Sequence, residues 1–254
     1  MTVTVSIPFY GDRDMLTRCV KSLLRQTHRD LRVMVIGDGQ RVPRLPRDSR
    51  LITYRLPRNR GAYFARAVAL EATTTSHHAI VDADDWVDPD WLETMLATGG
   101  SAVQHGSRWT HYPDGRVDHD IWRGARRHLA TKLLHYTSHT GVYETERLRE
   151  VGGYSPAYRM GYDSLLCGLL RMAGPVDIVD RPMYHRMRHP GSLCNAPGTQ
   201  IGSAPRLKAR AELEPIYAAA YQHLGDVAAI RRIALTATPP HLWDEVKEHA
   251  DRIR

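Results

Sequence analysis

Apolar and polar residues alternate from Thr2 to Ile7, which is the period of a strand with two unlike faces. Pro8 and Gly11 end that pattern. From Asp12 the period lengthens, and Leu16, Val20, Leu23 and Leu24 fall on one helical stripe. Residues 31–36 are apolar except for Arg32, too short for a buried helix and rich in Val and Ile, so a buried strand is predicted. Strand, helix and strand in this order make the unit of a parallel sheet with a right-handed crossover. A third strand at 51–54, an alanine-rich helix at 63–70 and a short buried strand at 79–81 extend it into an α/β domain with a mostly parallel central sheet flanked by helices.

Asp88-Pro89-Asp90 offers an N-cap, a proline for the first turn and an early acid, predicting a helix over 89–97 capped by Asp88. Residues 101–143 have short strand-like runs and no sustained period, and read as mixed β and loop. Helices are expected at 144–151 and 163–173, the second capped by Asp163, with a strand at 176–179 and a loop at 191–203. Three further helices, 205–224, 226–235 and 241–253, read as a C-terminal appendage, with Asp226 capping the second.

The chain has 254 residues, and its apolar and charged fractions are those of an ordinary globular protein. Its net charge of +7 is local: seven arginines, Arg41, Arg44, Arg47, Arg50, Arg55, Arg58 and Arg60, crowd one twenty-residue stretch, and the remainder is nearly neutral. The three cysteines are far apart without a CxxC pair, which argues against a disulfide framework and a cysteine-rich zinc site. With no apolar run near the ~20 residues of a membrane span and no signal-peptide pattern, a cytoplasmic protein is expected, with peripheral contact at a membrane face compatible.

Two strands end on carboxylates. Asp38 closes the second strand and precedes Gly39, where ligands of open α/β sheets bind; a plain turn is the alternative. Asp82, Asp84 and Asp85 follow the short apolar strand. Three carboxylates so close repel one another unless a cation or hydrogen bonds offset the charge, and an oxygen-rich set suits Mg²⁺ or Mn²⁺. The histidines, among them His77, His78, His105, His111, His119, His128, His135 and His139, show no HExxH spacing, and no P-loop, GxSxG or kinase set is present.

In order along the chain, Val5-Ser6-Ile7-Pro8-Phe9-Tyr10, Leu23-Leu24-Arg25-Gln26-Thr27, Val35-Ile36-Gly37-Asp38-Gly39, Asn59-Arg60-Gly61 with Ala65-Arg66, Asp82-Ala83-Asp84-Asp85, Val151-Gly152-Gly153-Tyr154, Gly161-Tyr162-Asp163 and His189-Pro190-Gly191-Ser192-Leu193 resemble a family 2 glycosyltransferase of the GT-A fold. The resemblance covers about residues 2–195. It implies a domain over 1–204, with a nucleotide-binding half at 1–100 and an acceptor-binding half at 101–204, followed by the helical extension 205–254. It also implies an inverting transfer of a sugar from a nucleotide diphosphate donor, a UDP-sugar foremost, to a hydroxyl acceptor of unspecified kind, assisted by Mn²⁺ or Mg²⁺. Carried over residue by residue, Asp38 meets the base, Arg66 lies near the nucleotide and Asp82 meets the ribose. Pro8, Tyr10, Asn59, Gly61 and Ala83 line the same pocket. Asp84, with Asp85, binds the metal, His189 reaches the metal or the diphosphate, and Asp163 is the general base. Arg58 or Arg60 is suited to hold the diphosphate.

The chain departs from the family pattern at Gly37 and Gln40, where an Asp and a Ser are usual, at Tyr162, where an acid is usual, and at Ala67 and Ala69. A nucleotidyltransferase is disfavoured because Pro8-Phe9-Tyr10-Gly11-Asp12 is neither glycine-rich nor basic. A nucleic-acid-binding role for the arginines lacks any accompanying recognition motif, so no nucleic-acid partner is expected. A non-catalytic sugar-nucleotide binder stays open. Trp109, Trp122 and His139 are candidates for selecting the acceptor, set against plain packing roles.

Overall fold

The structure, a computed structural model, describes residues 1–121 and 139–254; Trp122, His128 and His135 lie outside them. The central sheet has seven strands in the order β10-β6-β9-β4-β1-β2-β3. These are β1 (Val3–Phe9), β2 (Leu31–Gly37), β3 (Leu51–Arg55), β4 (His77–Ile80), β6 (Ala102–His105), β9 (Gly141–Glu144) and β10 (Asp177–Val179). β1 pairs in parallel with both β2 and β4, β2 with β3 and β6 with β10, while β9 runs antiparallel between β4 and β6. The sheet is therefore mostly parallel, and the β1, β2 and β4 ends lie side by side. A smaller sheet joins β5 (Trp86–Val87), β11 (Tyr184–Met187), β7 (Ser107–His111) and β8 (Val117–Ile121).

The alternation along β2 decides the layering. Val33 and Val35 face a core shared with the stripe Leu16, Cys19, Val20 and Leu23 of α1 (Arg13–Leu24) and with Trp91, Leu92 and Met95 of α3 (Trp91–Leu96). Met34 and Ile36 face the opposite core, built from α2 (Ala62–Ala72) and α5 (Tyr162–Ala173). Two of the histidines, His78 and His105, are packing groups. His78 is buried between Ser6 and Thr73, and burial brings its pKa down to about 3. His105 accepts from the Trp91 indole at 2.9 Å and is likewise pushed down to about 3 by burial.

Several expected features differ. Glu144 ends β9 and the helix α4 (Thr145–Glu150) begins after it. Asp88 does not cap α3: the N-cap is Asp90, without a side-chain cap bond, and Asp88 Oδ1 meets His185 Nε2 at 2.9 Å. Asp163 does not cap α5, whose N-cap is the left-handed Gly161. One sheet spans both expected halves, since β6, β9 and β10 complete the sheet begun by β1–β4.

The helices α6 (Ala204–Tyr221), α7 (Val227–Leu235) and α8 (Pro240–Asp251) follow as expected, with Asp226 capping α7 through Ala229 N at 2.9 Å. They are not a loose appendage. Leu213, Tyr217, Ile230, Ala234 and Val246 belong to the same core as α2 and α5, and Tyr54 on β3 meets His249 on α8 at 2.9 Å. Leu213 is wholly buried, so Leu213→Ala is expected to destabilise the whole domain by about 2–5 kcal/mol. One cooperative transition at lower denaturant concentration is the expected result. A separate early transition for the C-terminal helices alone contradicts a shared core.

Candidate active site

Asp38 stands just past the end of β2. Its carboxylate accepts from the backbone N–H of Arg60 at 2.6 Å and of Gly61 at 2.8 Å, and Asn59 Nδ2 donates to its carbonyl at 3.3 Å. It thereby ties the β2 end to the entry of α2. Only glycine fits two positions of this cradle. Gly39 has φ +74°, and a Cβ there would sit 2.3 Å from Asn59 N. At Gly37 a Cβ would lie 2.3 Å from the Gln40 carbonyl oxygen. Pro8 lies in β1, and Tyr10 just beyond it is largely exposed at the rim. Arg60 is engaged, pairing with Glu245 on α8 and lying over the Phe64 ring, whereas Arg58 is largely exposed and reaches Glu245 only at 3.8 Å.

From α2 a charged chain crosses the pocket floor. Arg66, 4% exposed, pairs with Asp82. His139 lies between two carboxylates, with Nε2 3.8 Å from Asp82 and Nδ1 3.6 Å from Asp163. Tyr63 donates to Asp163 Oδ1 at 2.8 Å and accepts from Asp163 N at 3.2 Å. Burial alone would push Asp163 up, but His139, Tyr63 and Arg66 outweigh it and hold the carboxyl below its usual range. Burial and Arg66 likewise disfavour a charged His139, and the two carboxylates overcome them and raise it. The signs fix a window. The His139 contribution to stability is complete below its ordinary 6.5 and fades as pH rises through its raised value. That of Asp163 is complete above its ordinary 3.8 and fades as pH falls through its depressed value.

The three carboxylates after β4 have separate environments. Asp82 faces Arg66 and His139, as above. Asp84 Oδ2 meets His189 Nε2 at 3.0 Å, and both side chains are partly exposed. Its bond to Asp84 raises the His189 pKa against burial. Arg18 braces this loop by donating to the Asp84 carbonyl at 2.8 Å and covering the Trp86 ring. Asp85 is a fastener: Tyr184 Oη donates to Oδ2 at 2.7 Å and Met187 N to Oδ1 at 2.8 Å. Burial, then Asp84 and Asp82, push its pKa well up. With both oxygens engaged by β11, Asp85 is less suited to a metal than Asp84. Ala83 stands between the two partly exposed acids, Asp82 and Asp84.

Tyr63, Tyr184 and Arg18 were not legible as site residues, because each reaches its partner, the Asp163 or Asp85 carboxylate or the Asp84 carbonyl, from a distant part of the chain. His189 and Asp84 are brought together from 105 residues apart. Among the described residues no group of three or more His, Cys, Asp or Glu side chains is arranged to hold a metal ion. A cation here would thus rest on Asp84 and His189, with phosphate and water oxygens completing its shell, as suits Mg²⁺.

A parallel-stranded α/β domain whose β1, β2 and β4 ends carry a polar cradle and an acidic loop has the architecture of a GT-A glycosyltransferase domain. The model of glycosyl transferase family 2 matches residues 4–150, and the chain belongs to that family. It is 27% identical over 99 residues to glycosyltransferase GlyA of Streptococcus pneumoniae, an overlap of 37% of this chain and 14% of GlyA. With the glucosyl-dolichyl phosphate glucuronosyltransferase of Haloferax volcanii it shares 25% identity over 179 residues, 61% of this chain and 56% of that one. Both overlaps leave a large part of the relative unmatched. The fold is similar to S. aureus TarS 1–349 in complex with UDP-GlcNAc, with a TM-score of 0.59, 15% identity and 91% of each chain covered. Among the described residues no helix is long and apolar enough to cross a membrane.

Proposed function

We propose that this protein transfers a sugar, with inversion, from a nucleotide diphosphate donor to a hydroxyl acceptor, with a UDP-sugar the leading donor. The observation that carries the reading is the buried Asp163, held ionised by Tyr63 and His139 and joined through His139 to the acidic loop. UDP-GlcNAc in the complex of TarS supports the choice of donor. In this reading Asp163 accepts the proton of the incoming hydroxyl as its oxygen bonds to the anomeric carbon. The bond from that carbon to the diphosphate breaks, and the diphosphate leaves with the electron pair on the opposite face.

Asp38 and Asp82 face the nucleoside, with Asn59, Gly61, Pro8, Tyr10 and Ala83 around it. Asp84 and His189, a carboxylate and an imidazole partly open to solvent, fit Mn²⁺ or Mg²⁺ held jointly with the diphosphate. Such an ion, when bound, neutralises charge on the leaving group. Arg66 and Tyr63 hold Asp82 and Asp163 in place and exclude water from the floor. The acceptor enters from the Asp163 side, beside His139.

A screen of UDP-, GDP- and dTDP-sugars with Mn²⁺, reading melting temperature and donor hydrolysis, tests the reading. A rise in melting temperature with hydrolysis or transfer supports it, a rise without turnover leaves only a binder, and no rise with any donor overturns it. The position of His139 adds a pH test. In His139→Gln the Asp163 carboxyl loses its strongest ionising partner, so the acid limb of kcat/KM is expected to move to higher pH. An unmoved limb contradicts the link between these two side chains.

A further inference from the structure

The arginine-rich segment after β2 divides into two sets. Arg50 pairs with Asp48, and Arg58 and Arg60 pair with Glu245. Arg41, Arg44 and Arg47 have no acidic partner among the described residues, and neither has Arg13 at the start of α1. These three recur every third residue in Arg41-Val42-Pro43-Arg44-Leu45-Pro46-Arg47, and their exposure has the same period: each Arg is exposed and both residues after Arg41 and Arg44 are partly buried. Each proline fixes its own φ and confines the residue before it to extended backbone. Val42 and Leu45 pack against the core that holds β1 and α1. The strap also lies tight on β2, with Val42 Cγ2 3.1 Å from where a Gly37 Cβ would stand. Gln40 clips its start to the loop after β1, accepting from Gly11 N at 2.9 Å and donating to Gly11 O at 3.0 Å. The guanidinium groups are thus arrayed on a stiff, anchored strip, about 9 Å apart along the chain at the rise of a proline-rich extended segment. Arg13, Arg41 and Arg44, with Val42 and Pro43, line a cavity of about 450 Å³.

We infer that this strip and cavity bind a soluble oligophosphate or phosphate-bearing chain, distinct from the donor's diphosphate. Four like charges without counter-ions repel one another, and a multivalent anion relieves that repulsion. Guanidinium groups match phosphate oxygens with paired N–H donors. The pocket, although half open, favours a discrete ligand that enters it over a flat bilayer. The period of three favours one carrying several phosphates, since Arg47 continues the row beyond the cavity. The inference stands apart from the transferase reading, which loses nothing if it fails.

The test uses the full chain and inorganic tripolyphosphate in EDTA, so that no metal at Asp84 contributes. Titration calorimetry compares the wild type with Arg13→Gln/Arg41→Gln/Arg44→Gln/Arg47→Gln. A second variant, Lys208→Gln/Arg231→Gln/Arg232→Gln/Lys247→Gln, removes the same charge from exposed positions elsewhere, and circular dichroism and melting temperature check both folds. The wild type and the second variant are expected to bind tripolyphosphate more tightly than pyrophosphate, and the strip variant at least tenfold more weakly. No binding by the wild type overturns the inference, as does equal loss in both variants, which reduces it to net charge. Binding to vesicles containing phosphatidylglycerol without binding to tripolyphosphate also overturns it, in favour of a membrane surface.

Discussion

Asp163→Asn is expected to lower kcat by about 10²–10⁴-fold, the usual contribution of a positioned general base, while the donor still raises the melting temperature as in the wild type. The amide keeps the size of the carboxylate and can still accept from the Tyr63 hydroxyl, which bonds Oδ1 at 2.8 Å, so packing around α5 changes little. What it loses is the capacity to take a proton. Because His139 is drawn to Asp163 and Asp82 together, the variant also lowers the His139 pKa, and the interaction that fades with rising pH fades sooner. Full transfer by Asp163→Asn, measured as nucleoside diphosphate release, removes that residue from the role.

The second large effect belongs to Asp84. Asp84→Ala is expected to abolish the increase in donor affinity brought by Mn²⁺ or Mg²⁺. At a donor concentration 100-fold above Kd, the wild type gains about 2.7 kcal/mol of stability from binding, and the variant is expected to lose the metal-dependent part of it. The protein itself stays folded, since the Asp84 side chain is partly exposed and the loop is held by its backbone bond to Arg18 and by Asp85 to Tyr184 and Met187. Thermal shift with and without metal reads this. Unchanged metal dependence in Asp84→Ala shifts the role to other ligands.

Much of the sheet was legible because its central strands are buried on both faces: residues 33–36 and 79–81 are apolar runs with no other good use. The order of the strands was not, since β9 enters antiparallel between β4 and β6 only through contacts of high sequence separation. The small sheet escaped notice for a similar reason. β5 is two residues long and β11 alternates histidine, arginine and apolar residues, so neither carries a strand period by itself. The cap role of Asp163 was misjudged: Gly161 supplies the helix start, and the carboxylate turns to Tyr63 instead. The acidic triplet reads in sequence as one cluster. In space its members serve three partners, Arg66, His189 and Tyr184, a division no local pattern encodes. The C-terminal helices looked separate because their apolar stripes point to a core built by α2 and α5, elements far back in the chain.

The central claim is that nucleotide sugars are cleaved in this pocket by attack from the Asp163 face. Proton NMR of an early time course with Mg²⁺ and an α-linked UDP-sugar tests it most directly, because the anomeric signal of the first product, formed with water or an acceptor, reports the direction of attack. The account predicts a β-configured product that Asp163→Asn does not form. An α-configured first product, or a β-configured one formed at the wild-type rate by Asp163→Asn, contradicts it.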